Sequence, residues 1–223
     1  MARLLRFSPP AREPEPVVAI SVSPALRQRV TRAFALVGEA MASATHALLA
    51  ADRELAKRVV ARDAEIDALI DDIVHETEAQ LVASDHHTPE ARRDLLTLLR
   101  VLPEVERSGD LAEHVARSAA RGLGTEMSPR SRGLVERMGE VASALWRDAT
   151  DVVLDGRFEA AAAIEDVDDE LDELHVALTA ELTSGSMTLP VAVEVALLAR
   201  FLERFGDHCV NLAHRSAGRG GAD

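Results

Sequence analysis

The sequence predicts an all-α protein built as two tandem three-helix bundles, six long helices related by an internal repeat. Three observations carry that prediction. Ala, Leu, Glu, Arg and Asp dominate, aromatic residues are 3% of the chain and Tyr is absent, so the alternating β-branched and aromatic runs of strands are missing. Apolar residues recur at helical spacing over segments of about 25 to 30 residues, roughly 40 Å of helix each. Finally, Glu106-Arg107-Ser108-Gly109-Asp110 returns as Glu203-Arg204-Phe205-Gly206-Asp207.

Each helix has its own start and stop signals. Ser23-Pro24 supplies an N-cap and a first-turn proline for helix one, whose stripe Leu26, Val30, Ala33, Phe34, Val37, Met41, Ala44 and Leu48 runs to about Ala51. Asp52 caps helix two, which carries Leu55, Val59, Ile66, Leu69, Ile70, Val74 and Leu81 until Ser84-Asp85-His86-His87 breaks it. Thr88-Pro89 opens helix three, which ends at Arg121-Gly122-Leu123-Gly124. Ser128-Pro129 opens helix four, Asp155-Gly156 divides it from helix five, and Ser184-Gly185-Ser186 ends the fifth. Thr188 and Pro190 start helix six, which reaches about Arg215. The expected divisions are a mobile proline-rich tail 1–22, a first three-helix unit 23–124, a second 125–216, and a mobile tail 217–223. Pro103 should kink helix three.

A net charge of −13 and few aromatics argue against a nucleic-acid surface, which needs Lys and Arg for phosphates and rings for stacking. The single cysteine, Cys209, allows no internal disulfide, fits a reducing compartment, and reads as a small buried hydrophobe. The N-terminal stretch lacks the apolar core of a signal peptide, and no continuous apolar run of about 18 residues is present. A cytoplasmic protein without a transmembrane segment is expected.

The chemistry lies in acidic pairs spaced i, i+4, which stack on one helix face. They are Asp63 with Asp67, Glu106 with Asp110, Asp168 with Asp172, and Glu203 with Asp207. Antiparallel neighbours can set the helix-two pair against the helix-three pair, and helix five against helix six, gathering four acids at each of two sites. Like charges so close are unfavourable unless a cation sits among them, and oxygen donors suit hard divalent metals. His114 and Asn211, one turn past Asp110 and Asp207, are candidate extra ligands or hydrogen-bond partners of ligands. Acidic pairs are also common on solvated faces, and the repeat is what separates these from that background. Gly109 and Gly206 each precede a pair's Asp inside a helix and are expected to make space. Arg107 and Arg204 recur one residue past each Glu, as surface ion pairs or as groups orienting a carboxylate. His86-His87 reads as solvent-exposed loop. No nucleophile constellation and no phosphate-binding glycine loop appears, so no enzyme activity is expected.

The paired Glu-Arg-x-Gly-Asp segments, their Asp-x-x-x-Asp partners and the two three-helix units resemble the PhoU family, the phosphate-uptake regulators of bacteria. The resemblance spans about residues 24–215. It is most specific at Glu203-Arg204-Phe205-Gly206-Asp207-His208 leading to Asn211-Leu212-Ala213, and again at Gly109-Asp110-Leu111-Ala112-Glu113-His114-Val115-Ala116. It implies a cytoplasmic homodimer that binds divalent or multinuclear metal, iron first and Mn, Mg or Zn as alternatives. It also implies negative regulation of the phosphate-starvation response through the phosphate ABC transporter ATPase and the phosphate-responsive sensor histidine kinase. One departure stands out: where the family has Gln-Pro leading into Ala-x-Asp-Leu-Arg, this chain has His87-Thr88-Pro89-Glu90-Ala91-Arg92-Arg93 and keeps only Arg93 in place. The rival readings are a ferritin-like carboxylate-bridged iron protein and a metal-free helical scaffold. The first needs Glu-x-x-His pairs, whereas Asp72-x-x-His75 and Asp172-x-x-His175 lie 172−72=100 apart, out of register with the repeat.

Overall fold

A computed structural model describes residues 20, 22–83, 88–157 and 160–217. The rest of both expected tails, and His86-His87 with its loop, lie outside the described residues. The six helices are α1 (Pro24–Ala50), α2 (Arg53–Val82), α3 (Pro89–Arg121), α4 (Pro129–Asp155), α5 (Ala161–Thr183) and α6 (Leu189–Ala217), with a 3-10 turn, Leu123–Thr125, between the halves.

The capping residues act where the sequence placed them. Ser23 Oγ accepts from the Leu26 amide at 3.3 Å, Asp52 Oδ1 from Leu55 at 2.8 Å, Thr88 Oγ1 from Ala91 at 3.2 Å, and Ser128 Oγ from Ser131 at 3.1 Å. Gly122, at φ 95°, closes α3 in the left-handed conformation that glycine adopts without a Cβ penalty. Helix α3 continues through Pro103. Packing begins before α1, because Ile20 is buried and its N–H donates to Leu154 O at 3.4 Å.

Each unit packs its three helices on one another, and the units meet along α1–α4 and α3–α6. The neighbour order α2–α3–α6–α5 forms one layer, and α1 and α4 cover it. The covering seam is apolar and close. Trp146 Nε1 donates to Phe34 O at 2.9 Å, its ring lies 5.4 Å from Phe34 and 5.2 Å from Phe205, and a Cβ on Gly38 would sit 2.8 Å from its Cδ1. Helix α1 is long and apolar enough in composition to pass for a membrane span. Here Leu26, Val30, Phe34, Val37, Met41 and Leu48 are buried in the core, while Arg29 and Arg32 pair with Glu76 and Glu65 on α2.

The other seam holds a buried charge that the sequence reading missed. Glu104 is 1% exposed; its Oε2 lies 2.5 Å from His208 Nδ1, and its Oε1 accepts from Arg107 at 3.2 Å and pairs with Arg215 at 2.8 Å. A carboxylate taken this far from water is costly unless it is paired. Three cationic or hydrogen-bonding partners meet that need, and two of them, His208 and Arg215, tie α3 to α6. Arg107 thus turns toward Glu104, the group it neutralises, and both it and Arg204 are exposed. A charge at position 104 in line with Ser108, Leu111 and Val115 was the available signal. Cys209 is fully buried, and burial holds its thiol well above the usual range.

Candidate metal centre

Electrostatic coupling links the acids of the sequence pattern as two sets, one in the groove between α2 and α3 and one in the groove between α5 and α6, and among the described residues only the first set brings three ligand atoms within metal-binding reach of one another. In the first groove, ligand oxygens of Asp63, Asp67 and Asp110 all lie within 4.8 Å of one another, the one such His, Cys, Asp or Glu triad among the described residues. Burial, then Asp67, Glu113 and Asp110, push the Asp63 carboxyl up to about 6. Asp67 is also raised, by burial and then by Asp110, Asp71 and Glu113. Glu106 is raised by burial, Asp110, Asp67 and Asp71. Every one of these shifts reflects a carboxylate that is partly desolvated among like charges.

Two carboxylates outside the four pairs therefore join this groove. Glu113 stands three residues past Asp110, a spacing that also shares a face, and Asp71 continues the Asp63–Asp67 stripe by another turn. His114 goes elsewhere: its ring stacks on Phe201 of α6, centroids 5.0 Å apart and planes 22° apart. The helical twist from 113 to 114 directs the carboxylate toward α2 and the imidazole toward α6.

The second groove is looser in its acids and tighter in its backbone. Burial, then Asp172, Asp207, Glu203 and Asp169, push Asp168 up to about 6. Glu203 is 9% exposed and raised by burial and by Asp207. Its Oε1 pairs with Arg200, and its buried Oε2 has no hydrogen-bond partner among the described residues. Asp207 is exposed, and Asn211 is half-buried one turn beyond it. The two glycines differ. A Cβ on Gly206 would collide with Asp168 Oδ1 and come within 2.6 Å of Leu171 Cδ2, so those side-chain ends would have to shift to admit one. At Gly109 the nearest atoms would be Ile66 Cγ2 at 3.5 Å and Asp63 Oδ1 at 3.8 Å, ordinary contacts. The space-making role expected of both glycines holds at Gly206 and fails at Gly109.

A PhoU domain model matches residues 30–119 and 135–216, the two three-helix units. This chain belongs to the PhoU family. It is 36% identical over 193 residues to the phosphate-specific transport system accessory protein PhoU homolog 2 of Mycobacterium tuberculosis, covering 85% of this chain and 90% of that protein. Homolog 1 of Mycobacterium leprae is also 36% identical, covering 85% and 86%. The crystal structure of PhoU from Pseudomonas aeruginosa superposes with a TM-score of 0.78 at 27% identity, over 88% of this chain and 97% of that one. The phosphate transport system regulatory protein PhoU from Streptococcus pneumoniae shares the fold, with a TM-score of 0.80 at 20% identity over 89% and 95%. PhoU membership replaces the ferritin-like alternative. At α3's start, the segment that departs from the family pattern caps the helix through Thr88 and leaves Arg92 and Arg93 exposed.

Proposed function

We propose that this protein is a metal-binding regulator of phosphate uptake that restrains the phosphate-starvation response. In this reading it works in the cytoplasm as a homodimer, contacts the phosphate transporter's ATPase and the phosphate-responsive sensor histidine kinase, and catalyses no reaction. The regulatory part rests on family membership and on relatives that are phosphate-transport accessory proteins. The metal part rests on one observation: ligand oxygens of Asp63, Asp67 and Asp110 lie within 4.8 Å of one another, and burial with facing carboxylates raises an aspartate in each groove, a charge arrangement that a bound cation would relieve.

The donor chemistry fits a hard or borderline divalent ion, with iron first and manganese, magnesium or zinc as alternatives. Asp63, Asp67 and Asp110, with Glu106, would hold it in one groove, and Asp168, Asp172, Glu203 and Asp207 in the other. A bound cation supplies fixed positive charge between paired helices. These residues then hold α2 to α3 and α5 to α6 through carboxylate bonds instead of repelling across the groove.

Replacing both Asp110 and Asp207 by Ala is expected to abolish most metal uptake measured by elemental analysis, and unchanged stoichiometry would sink the site assignment. A strain lacking the protein should show elevated alkaline phosphatase and phosphate uptake when phosphate is plentiful. Unaltered responses would overturn the regulatory reading.

A further inference from the structure

The α5–α6 groove contains a nitrogen donor, His175, whose counterpart on α2 is apolar. On α5, His175 lies seven residues past Asp168 and three past Asp172, so the three residues share one face of the helix. That face is turned to α6, because Asp168 and Leu171 abut Gly206. The helices run antiparallel, as the His214 Nε2 to Glu165 Oε1 contact at 2.5 Å confirms. Two turns beyond Asp168 on α5 therefore correspond to two turns before Gly206 on α6, since 206−7=199, which places His175 beside the turn that carries Glu203. His175 is half-buried there, and its charge is one of those that act on the Glu203 carboxyl. Glu203 itself is nine-tenths buried, and its Oε2 is unpartnered among the described residues.

A buried carboxylate oxygen without a hydrogen-bond donor needs an explanation, and a cation between it and the imidazole provides one. The repeat offset of 168−63=105 maps His175 onto 175−105=70, which is Ile70, a buried apolar residue.

We propose that His175 is a metal ligand of the α5–α6 centre, which gives that centre a mixed nitrogen and oxygen donor set and a preference for borderline divalent ions such as Zn(II) or Fe(II). The α2–α3 centre, all oxygen, takes harder ions such as Mn(II) or Mg(II). This rests on the metal reading above and extends it to unequal centres. Imidazole favours Zn and Fe, whereas carboxylate-only sites favour Mg, Ca and Mn. His208 is not available for this role, since its Nδ1 faces Glu104.

The test uses the full chain, with histidine ring nitrogens observed by long-range proton–nitrogen correlation spectroscopy as Zn(II) or Mg(II) is added. The His175 signal is assigned by its loss in H175N. Zn(II) should move one His175 ring nitrogen to a metal-bound shift, and Mg(II) should not. H175N should lower Zn(II) affinity of the second centre by about tenfold or more, the scale set by removal of a metal site's supporting groups, and leave Mn(II) uptake by the first centre unchanged. D168A should abolish the Zn(II)-induced shift while His175 remains in place. If Zn(II) binds in a D168A-sensitive way while the His175 nitrogens keep their free shifts, the ligand assignment is overturned and the metal reading stands. If neither Zn(II) nor Mn(II) binds, both fall.

Discussion

The two acidic grooves are copies in sequence and different sites in structure. The α2–α3 groove draws three aspartate oxygens within 4.8 Å, keeps Glu106 and Asp110 open to water, and adds Glu113 and Asp71. In the α5–α6 groove the counterparts of those extra acids are apolar: 113+97=210 is Val210, and 71+105=176 is Val176. It buries Glu203 instead and packs Asp168 onto a glycine with no room to spare. Helical spacing therefore preserves which residues face a groove, while the neighbours decide how dry and how tight it is. The first groove is the richer in charge; the second buries its glutamate and leaves one of its oxygens without a hydrogen-bond partner among the described residues.

The largest way to break this contrast is through the glycines. G206A drives a methyl into Asp168 and Leu171 and is expected to destabilise the protein by about 1–3 kcal/mol, the usual cost of forcing atoms into a packed site. G109A meets only ordinary contacts and removes a helix-interior glycine, so it should be neutral or stabilising by up to about 1 kcal/mol. Urea denaturation of the metal-free protein gives both values. Equal effects at the two positions would show that the grooves are packed alike.

The helices and the acidic stripes were legible because both depend on local rules. Caps at Ser23, Asp52, Thr88 and Ser128, and period-3.6 apolar stripes, fix where each helix begins and which face it buries. Long-range partners were not legible. Nothing in the local pattern says that Glu104 meets His208 and Arg215 across 104 and 111 residues, or that Trp146 donates to Phe34. Within the site, the i, i+4 rule found eight acids, overlooked Glu113 at i+3, and offered His114, which twist sends to Phe201. His175 was visible as part of Asp172-x-x-His175, but only the α5–α6 register shows that it faces Glu203's turn.

A smaller effect tests the difference in burial between the two glutamates. Glu203 to Met removes a buried charge whose Oε2 is unpartnered, and its one partner, Arg200, is half exposed and loses little. The metal-free protein should gain about 1 kcal/mol. Glu106 to Met, at an exposed position, should change stability by no more than about 0.5 kcal/mol. Both variants should bind less metal. A loss of stability in E203M comparable to that of a broken buried pair would mean that Glu203 has a stabilising partner in the metal-free state.

The pH dependence is where the grooves should behave alike. Asp63 and Asp168 both keep a proton in the native state up to about pH 6, whereas an ordinary Asp releases it near 3.8. The native protein binds more protons than the unfolded chain in that window, so these two groups lower metal-free stability as pH rises from about 4 to about 6 and add no further slope above it. D63N and D168N should each flatten the wild-type curve over that window by a similar amount, since each removes one such proton. With a cation bound the sign reverses, because ligands must be deprotonated, and uptake should strengthen as pH rises through about 6. Denaturation in a chelator across this range, compared with the same series in excess Mn(II), measures both. A flattening confined to D168N would mean that water reaches the first groove well enough to keep Asp63 ionised, and that the grooves differ in electrostatics as well as packing.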